Sequence, residues 1–245
     1  MSNFVLEINK INKYLSGYHI LKDVSISVEE GEIYGFLWPN WAWKTTTMKC
    51  IMWLINPEDW DIKIFWETWL TQNAKQKIWF MPENTYLYKH LTWEEFLKFN
   101  WKFFWLSWEK LDKKIELLLD KVGLTFAKDK YLSEYSKWML QRVWLAQSII
   151  NDPKLVFLDE PMSWLDPIGR KMVKDLIVEL RKNWTTVFFN THILADVESI
   201  CDRISIIHKW EIIVAWEEIK NIDNLEQYFI EKVTKTDEWA IKEVE

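Results

Sequence analysis

The run Trp38-Pro39-Asn40-Trp41-Ala42-Trp43-Lys44-Thr45-Thr46 decides how this chain is read. With glycine at the three Trp positions it becomes GPNGAGKTT, a phosphate-binding loop of the form G-x-x-x-x-G-K-[ST]. Such a loop needs glycine for a physical reason. Consecutive backbone N–H groups must wrap a phosphate closely, and some of those residues need φ > 0, which a Cβ penalises. Indole side chains of roughly 150–250 Å² each would occupy the space where phosphates sit. Taken literally, the loop cannot work.

The same exchange restores sense elsewhere. Asn183-Trp184-Thr185-Thr186 becomes a helix-end glycine ahead of a strand, Lys209-Trp210-Glu211 a two-strand turn, and Ser163-Trp164-Leu165-Asp166 a tight S-G-L-D turn. Five Gly in 245 residues is far below the usual ~7%, whereas adding the nineteen Trp would lift the content a little above it. Core tryptophans would not collect in turns, helix ends and a phosphate loop. The pattern implies that the source reads the codon UGA as glycine and that the gene was conceptually translated with UGA as tryptophan. Deliberate replacement of glycines is the alternative.

The length of 245 residues suits one large α/β domain or a core with a subdomain. At 49% hydrophobic and 28% charged residues, the chain falls among globular rather than disordered proteins. A net charge of −6 gives no basic footprint, which argues against generic nucleic-acid binding. No apolar run approaches the ~20 residues of a membrane span, and the start, Met1 to Glu7, lacks a signal-peptide pattern. Cys50 and Cys201 are isolated, implying neither a disulfide framework nor a metal site and suiting a reducing cytoplasm.

Along the chain, Phe4 to Ile8, Val24 to Val28 and Glu32 to Leu37 read as strands, the last feeding the phosphate loop. Lys44 to Leu54 reads as the helix that follows. Ile62 to Phe65 and Lys77 to Met81 are further strands. Residues 84–150, rich in Glu, Lys, Leu and Phe at helical spacing, read as a helical subdomain inserted between strands, with a second helix from Trp138 to Ile150. Leu155 to Leu158 is an apolar run suited to a buried parallel strand. Helix (Ile168 to Lys182), strand (Thr185 to Phe189), helix (Ile193 to Ile200) and strand (Arg203 to Ile207) then alternate in the α/β manner. The tail from Glu217 is charged and helical in part.

Lys44 would reach the β- and γ-phosphates, and the Thr45 hydroxyl would ligate Mg²⁺. Asp159 and Glu160 close the Leu155–Leu158 run, at the carboxyl end of a strand, where open α/β sheets bind ligands. Asp159 would hold Mg²⁺, directly or through water, and Glu160 would polarise the attacking water as general base. A bland alternative is a charged strand end capping the next helix.

With these motifs in place, the chain resembles the nucleotide-binding subunits of ATP-binding cassette (ABC) transporters over nearly its whole length. The distinguishing stretch is Tyr135-Ser136-Lys137-Trp138-Met139-Leu140-Gln141-Arg142, which with glycine reads YSKGMLQR and is similar to the family signature LSGGQ followed by Q-R. Ser136 opens a helix whose N-terminal N–H groups suit an anion, and the family's anion is the γ-phosphate of ATP on the partner subunit. The resemblance implies a P-loop NTPase (RecA-like) core with an N-terminal antiparallel β subdomain and an inserted helical subdomain, an ABC domain over residues 1–216 and a C-terminal extension over 217–245. It implies ATP and Mg²⁺ as ligands, with the whole run Trp38 to Thr46 and Ser136, Lys137, Trp138 and Asp166 contacting nucleotide. His192, after Thr191, resembles the switch histidine that contacts the γ-phosphate and the attacking water. Tyr14 resembles the aromatic that stacks on adenine, with Tyr18 competing for that role.

Two departures stand out. Glu83, in Ile78-Trp79-Phe80-Met81-Pro82-Glu83, occupies the place of the family's loop glutamine; an ionised carboxylate can ligate Mg²⁺ but cannot donate a hydrogen bond. Met139 replaces the Gln of the signature. Both resemble exporter subunits more than importers. The expected partners are a second copy of the cassette and a separate transmembrane permease, not nucleic acid, with the chain cytoplasmic and peripheral on the inner face of the cell membrane. A soluble cassette ATPase, or a non-catalytic binding module if the Trp residues are real, are the rival readings.

Overall fold

The computed structural model describes residues 4–38, 44–58, 61–68, 71–83, 87–101, 108–163 and 165–242. Among the described residues nine strands form two sheets. The smaller holds β1 (Phe4–Leu15), β2 (Tyr18–Glu29) and β4 (Ile62–Ile64) in the order β2-β1-β4, all antiparallel. The larger holds β3 (Ile33–Leu37), β5 (Ile78–Met81), β6 (Leu155–Asp159), β7 (Thr186–Thr191), β8 (Arg203–His208) and β9 (Glu211–Glu218) in the order β5-β6-β7-β3-β8-β9. It is parallel except for the final β8–β9 pair.

The apolar runs form the central strands because both faces of the large sheet are covered. Side chains alternate between the two covers. Tyr34, Phe36, Leu155, Phe157 and Phe188 pack toward the small sheet, beside Met48, Cys50 and Ile51 of α1 (Lys44–Ile51). Ile33, Leu37, Val156, Leu158, Val187 and Phe189 pack on the other side, with the helices. Gly35 lies beneath α7 (Leu194–Ile200), where a Cβ would stand 2.9 Å from Cys201 Sγ and 3.1 Å from Val197 Cγ1. A side chain there would push α7 off the sheet.

Residues 93–149 carry α3 (Trp93–Trp101), α4 (Trp108–Lys121) and α5 (Lys137–Ile149). In and just beyond α4, Ile115, Leu118, Leu119 and Val122 recur at i, i+3, i+4 and i+7, and all four are buried against α3 and α5 residues such as Phe96, Leu97 and Val143. α6 (Pro167–Lys182) and α7 follow β6 and β7, and α8 (Leu225–Lys242) is the last helix among the described residues. A short α2 (Gln72–Gln76), N-capped by Thr71, precedes β5.

Several elements differ from the sequence expectation: β2 begins at Tyr18, six residues ahead of Val24, and α1 ends at Ile51 rather than Leu54. β1 extends to Leu15, well past Ile8, because register shifts between Ile8 and Tyr14, with Lys10 at φ 48°, carry the strand through the break in its alternation. Strand β9 runs through Glu218, so the charged tail begins as the last strand of the sheet.

Several sharp turns hold tryptophan at positive φ, two of them of recognisable type. Lys209 and Trp210, at φ 45° and 78°, are the two-residue connection of the β8–β9 hairpin, the conformation in which such loops favour glycine. Trp184, at φ 59°, follows α6; its N–H donates to Arg181 O at 2.9 Å, and the Thr185 N–H donates to Leu180 O at 3.0 Å. That is a Schellman ending, with Trp184 in the position glycine usually fills.

Candidate functional site: a strand-end cleft

Register brings the site together. Leu37 pairs with Thr191 and Asp159 with Asn190, so the ends of β3, β7 and β6 emerge side by side. Met81 pairs with Leu158, which sets Glu83 beside the same edge. Trp38, the Asp159–Glu160 pair and His192 therefore stand at one edge of the sheet.

Thr45, in the first turn of α1, donates from Oγ1 to Asp159 Oδ2 at 2.6 Å. Asp159 is fully buried, and its other oxygen, Oδ1, has no hydrogen-bond partner. An orphaned buried carboxylate oxygen beside a threonine hydroxyl fits a Mg²⁺ ion, which binds through one or two protein oxygens and completes its shell with water and phosphate. Among the described residues no cluster of three or more His, Cys, Asp or Glu is disposed to hold a metal.

Glu160 is 2% exposed and sits at φ 50°, a left-handed conformation costly for a residue with a Cβ. Its N–H donates to Asn190 Oδ1 at 2.8 Å and to Asn190 O at 3.2 Å, while its carbonyl accepts from Ser163 Oγ at 3.0 Å. These bonds hold the strained turn and fix the carboxylate. Oε1 lies 2.9 Å from His192 Nδ1, and Oε2 accepts from Thr191 Oγ1 at 3.3 Å. Glu83, Ser163, Leu165, Arg170, His192 and Ile193 line the cleft with Glu160.

Ser136 is the N-cap of α5, its Oγ accepting from the Met139 N–H at 3.3 Å, and Lys137 and Trp138 are exposed beside it. Asp166 caps α6 through Gly169 N at 2.7 Å, ahead of Pro167 at the helix start. Tyr14 is half-exposed near the end of β1, stacked on His19 with ring centroids 4.2 Å apart, and its N–H donates to Glu58 Oε2 at 3.1 Å. Tyr18 is more exposed, at the start of β2. Trp38 is buried, with its ring edge-on to Phe36 and Trp210. Thr46 is half-buried in α1. Pro39, Asn40, Trp41, Ala42 and Trp43 lie outside the described residues, as do the Lys44 side chain and Trp164.

Sequence reasoning passed over Asn190, which holds the Glu160 turn, and Gln141, whose Nε2 donates to Pro161 O at 3.1 Å and ties the start of α5 to the site. Asn190 had a visible signal, a polar residue ending the apolar run of β7.

A three-layer α/β fold with this strand-end site defines a P-loop nucleotide-binding protein. The chain belongs to the ABC transporter family, whose model matches residues 21–163. It is 42% identical over 230 residues to an ABC transporter ATP-binding protein of Synechocystis, covering 91% of this chain and 64% of that protein. It is 33% identical over 213 residues to the bacitracin transport ATP-binding protein BcrA of Bacillus licheniformis, covering 85% of this chain and 68% of that one. A solved ATP-binding subunit of an ABC transporter superposes with a TM-score of 0.85 at 26% identity, covering 93% of this chain and 99% of that chain. The chain spans less than two thirds of the length of its cyanobacterial relatives. Among the described residues no helix is long and apolar enough to cross a membrane.

Proposed function

We propose that the chain is the ATP-hydrolysing subunit of a membrane exporter, acting as a head-to-tail pair of cassettes against a separate permease at the inner face of the membrane. Thr45 touching Asp159, whose free oxygen is buried beside the Glu160–His192 pair, is the observation that carries this reading. Bound Mg²⁺ neutralises phosphate charge, and Thr45 and Asp159 would hold it. Glu160 takes the proton of the attacking water, and His192 orients that carboxylate through Oε1. Lys44 and the run Trp38 to Thr46 bind the phosphates, and Tyr14 stacks on the base. Ser136, Lys137, Trp138 and Asp166, at the starts of α5 and α6, complete the site of the opposite copy. Glu83 stands where the cleft meets the helical subdomain. The likeness to a bacitracin transport protein supports the exporter reading, as does the Met139 form of the signature. The domain expected over residues 1–216 takes in β9 to Glu218, and the extension begins after that strand.

The reading also requires glycine at the Trp positions of the loop. Among the described residues twelve non-glycine residues have positive φ, and five are tryptophans: Trp53, Trp66, Trp184, Trp210 and Trp216. Bulky aromatic residues are among the least tolerated there. The indole nitrogens of Trp53, Trp93 and Trp144 are buried without a hydrogen-bond partner, a cost that glycine would not carry.

The test is nucleotide turnover by the glycine-containing protein. Glu160→Gln is expected to bind ATP, accumulate an ATP-dependent dimer and hydrolyse about 10²–10⁴-fold more slowly, whereas Lys44→Ala weakens binding itself. Normal hydrolysis by the Glu160→Gln protein would remove Glu160 as the base. A parent protein that binds no ATP would favour a non-catalytic module.

A further inference from the structure

One charged side chain in the cleft wall has no part in the reading above. Arg170 lies near the start of α6 and lines the cleft with Glu160, Ser163, Leu165 and His192. Its Nη2 donates to Asp196 Oδ2 at 2.7 Å. Asp196, in the first turn of α7, has a side chain only 2% exposed, and Lys174, one turn along α6, stands 3.5 Å from Oδ1. A carboxylate this buried is tolerable only while it is paired, because a lone buried charge is strongly destabilising.

The pair joins two segments that both reach the cleft. On one side, α6 is capped by Asp166, three residues after Ser163, which is bonded to Glu160. On the other, α7 begins two residues after His192. The Ile193 N–H donates to Thr191 Oγ1 at 3.2 Å, and that hydroxyl donates to Glu160 Oε2 at 3.3 Å. Displacing α6 would therefore pull on α7, and through α7 on the turn that sets His192 against Glu160.

We infer that Arg170 and Asp196 are positioning residues whose ion pair, buried on the Asp196 side, ties the start of α6 to the His192 turn, an assignment that rests on the ATPase reading. Lys174 is a secondary partner that shares the charge of Asp196. Because Asp166 would face the second copy, the lock gives contact between copies a direct mechanical path to the Glu160–His192 pair.

The glycine-containing protein is compared with its Arg170→Met, Arg170→Lys and Asp196→Asn variants. Arg170→Met and Asp196→Asn are expected to lower kcat about tenfold or more while KM for ATP stays within about twofold. Arg170→Lys, which keeps the charge, should stay within about threefold of the parent. Without nucleotide, hydrogen exchange in the Arg170→Met protein should quicken at 163–166 and 191–194 together and remain unchanged in the β1–β2 hairpin. Arg170→Met turning over at the parental rate would overturn the lock, as would Arg170→Lys failing as badly as Arg170→Met, or exchange rising in only one segment. A parent protein with no turnover would refute the ATPase reading, while the exchange comparison would still decide whether the two segments move together.

Discussion

Thr45 Oγ1 and Asp159 Oδ2, 114 residues apart in sequence, meet at 2.6 Å, and the second oxygen of Asp159 is left buried without a partner. The hydroxyl fixes one carboxylate oxygen, and in the proposed site the other would be held for Mg²⁺. Thr45→Val keeps the β-branched shape and removes only the hydroxyl. The Mg²⁺ concentration giving half-maximal turnover should rise by about tenfold or more. Titration of hydrolysis against Mg²⁺ checks this, and an unchanged midpoint would take Thr45 out of the metal site.

The segment after β5 is the proposed contact with the permease. Tyr88 is half-exposed and edge-on to Phe99, with ring centroids 5.3 Å apart. Tyr86, also expected there, lies outside the described residues. An exposed aromatic pair offers contact area with a polar rim, as at protein interfaces. Purification from native membranes should bring down a polytopic protein, and Tyr88→Asp should release it while basal hydrolysis continues. Recovery of ribosomes or DNA alone would point to a soluble cassette ATPase.

At the opposite end of the strands, Glu32 is 6% exposed and accepts from Arg203 Nε at 2.7 Å and Nη2 at 2.8 Å. Burial holds its carboxyl above the ordinary value of 4.5, against the lowering effect of Arg203. Between 4.5 and that raised value the native chain keeps a proton that the unfolded chain has released, so stability falls as pH rises. Glu32→Gln should flatten this slope. Urea midpoints measured from about pH 4 to 7 read it directly, and identical slopes in the two proteins would contradict the assignment.

Much of this architecture is visible in the sequence where one physical constraint acts alone. Leu155 to Leu158 is apolar at every position because both sheet faces are covered, and the acids that end it can only lie at the strand end. Ser136 is legible as an N-cap because that hydroxyl has one local partner, the Met139 N–H. The extension of β1 was hidden because its bulges break the alternation that identifies a strand. The Arg170–Asp196 pair was hidden because charges 26 residues apart on two helices leave no periodic trace. Asn190 looked like a strand end, and its bonds to Glu160 follow only from register.

The account turns on what stands at positions 38, 41 and 43. The tryptic peptide Asp23–Lys44 of the protein from its native cell contains all three positions, with no internal Lys or Arg. Its fragment mass spectrum should show glycine at each, together with a protein whose tryptophan absorbance is nearly absent. Indole at any of those positions would contradict the phosphate-binding loop, and with it ATP hydrolysis by this chain.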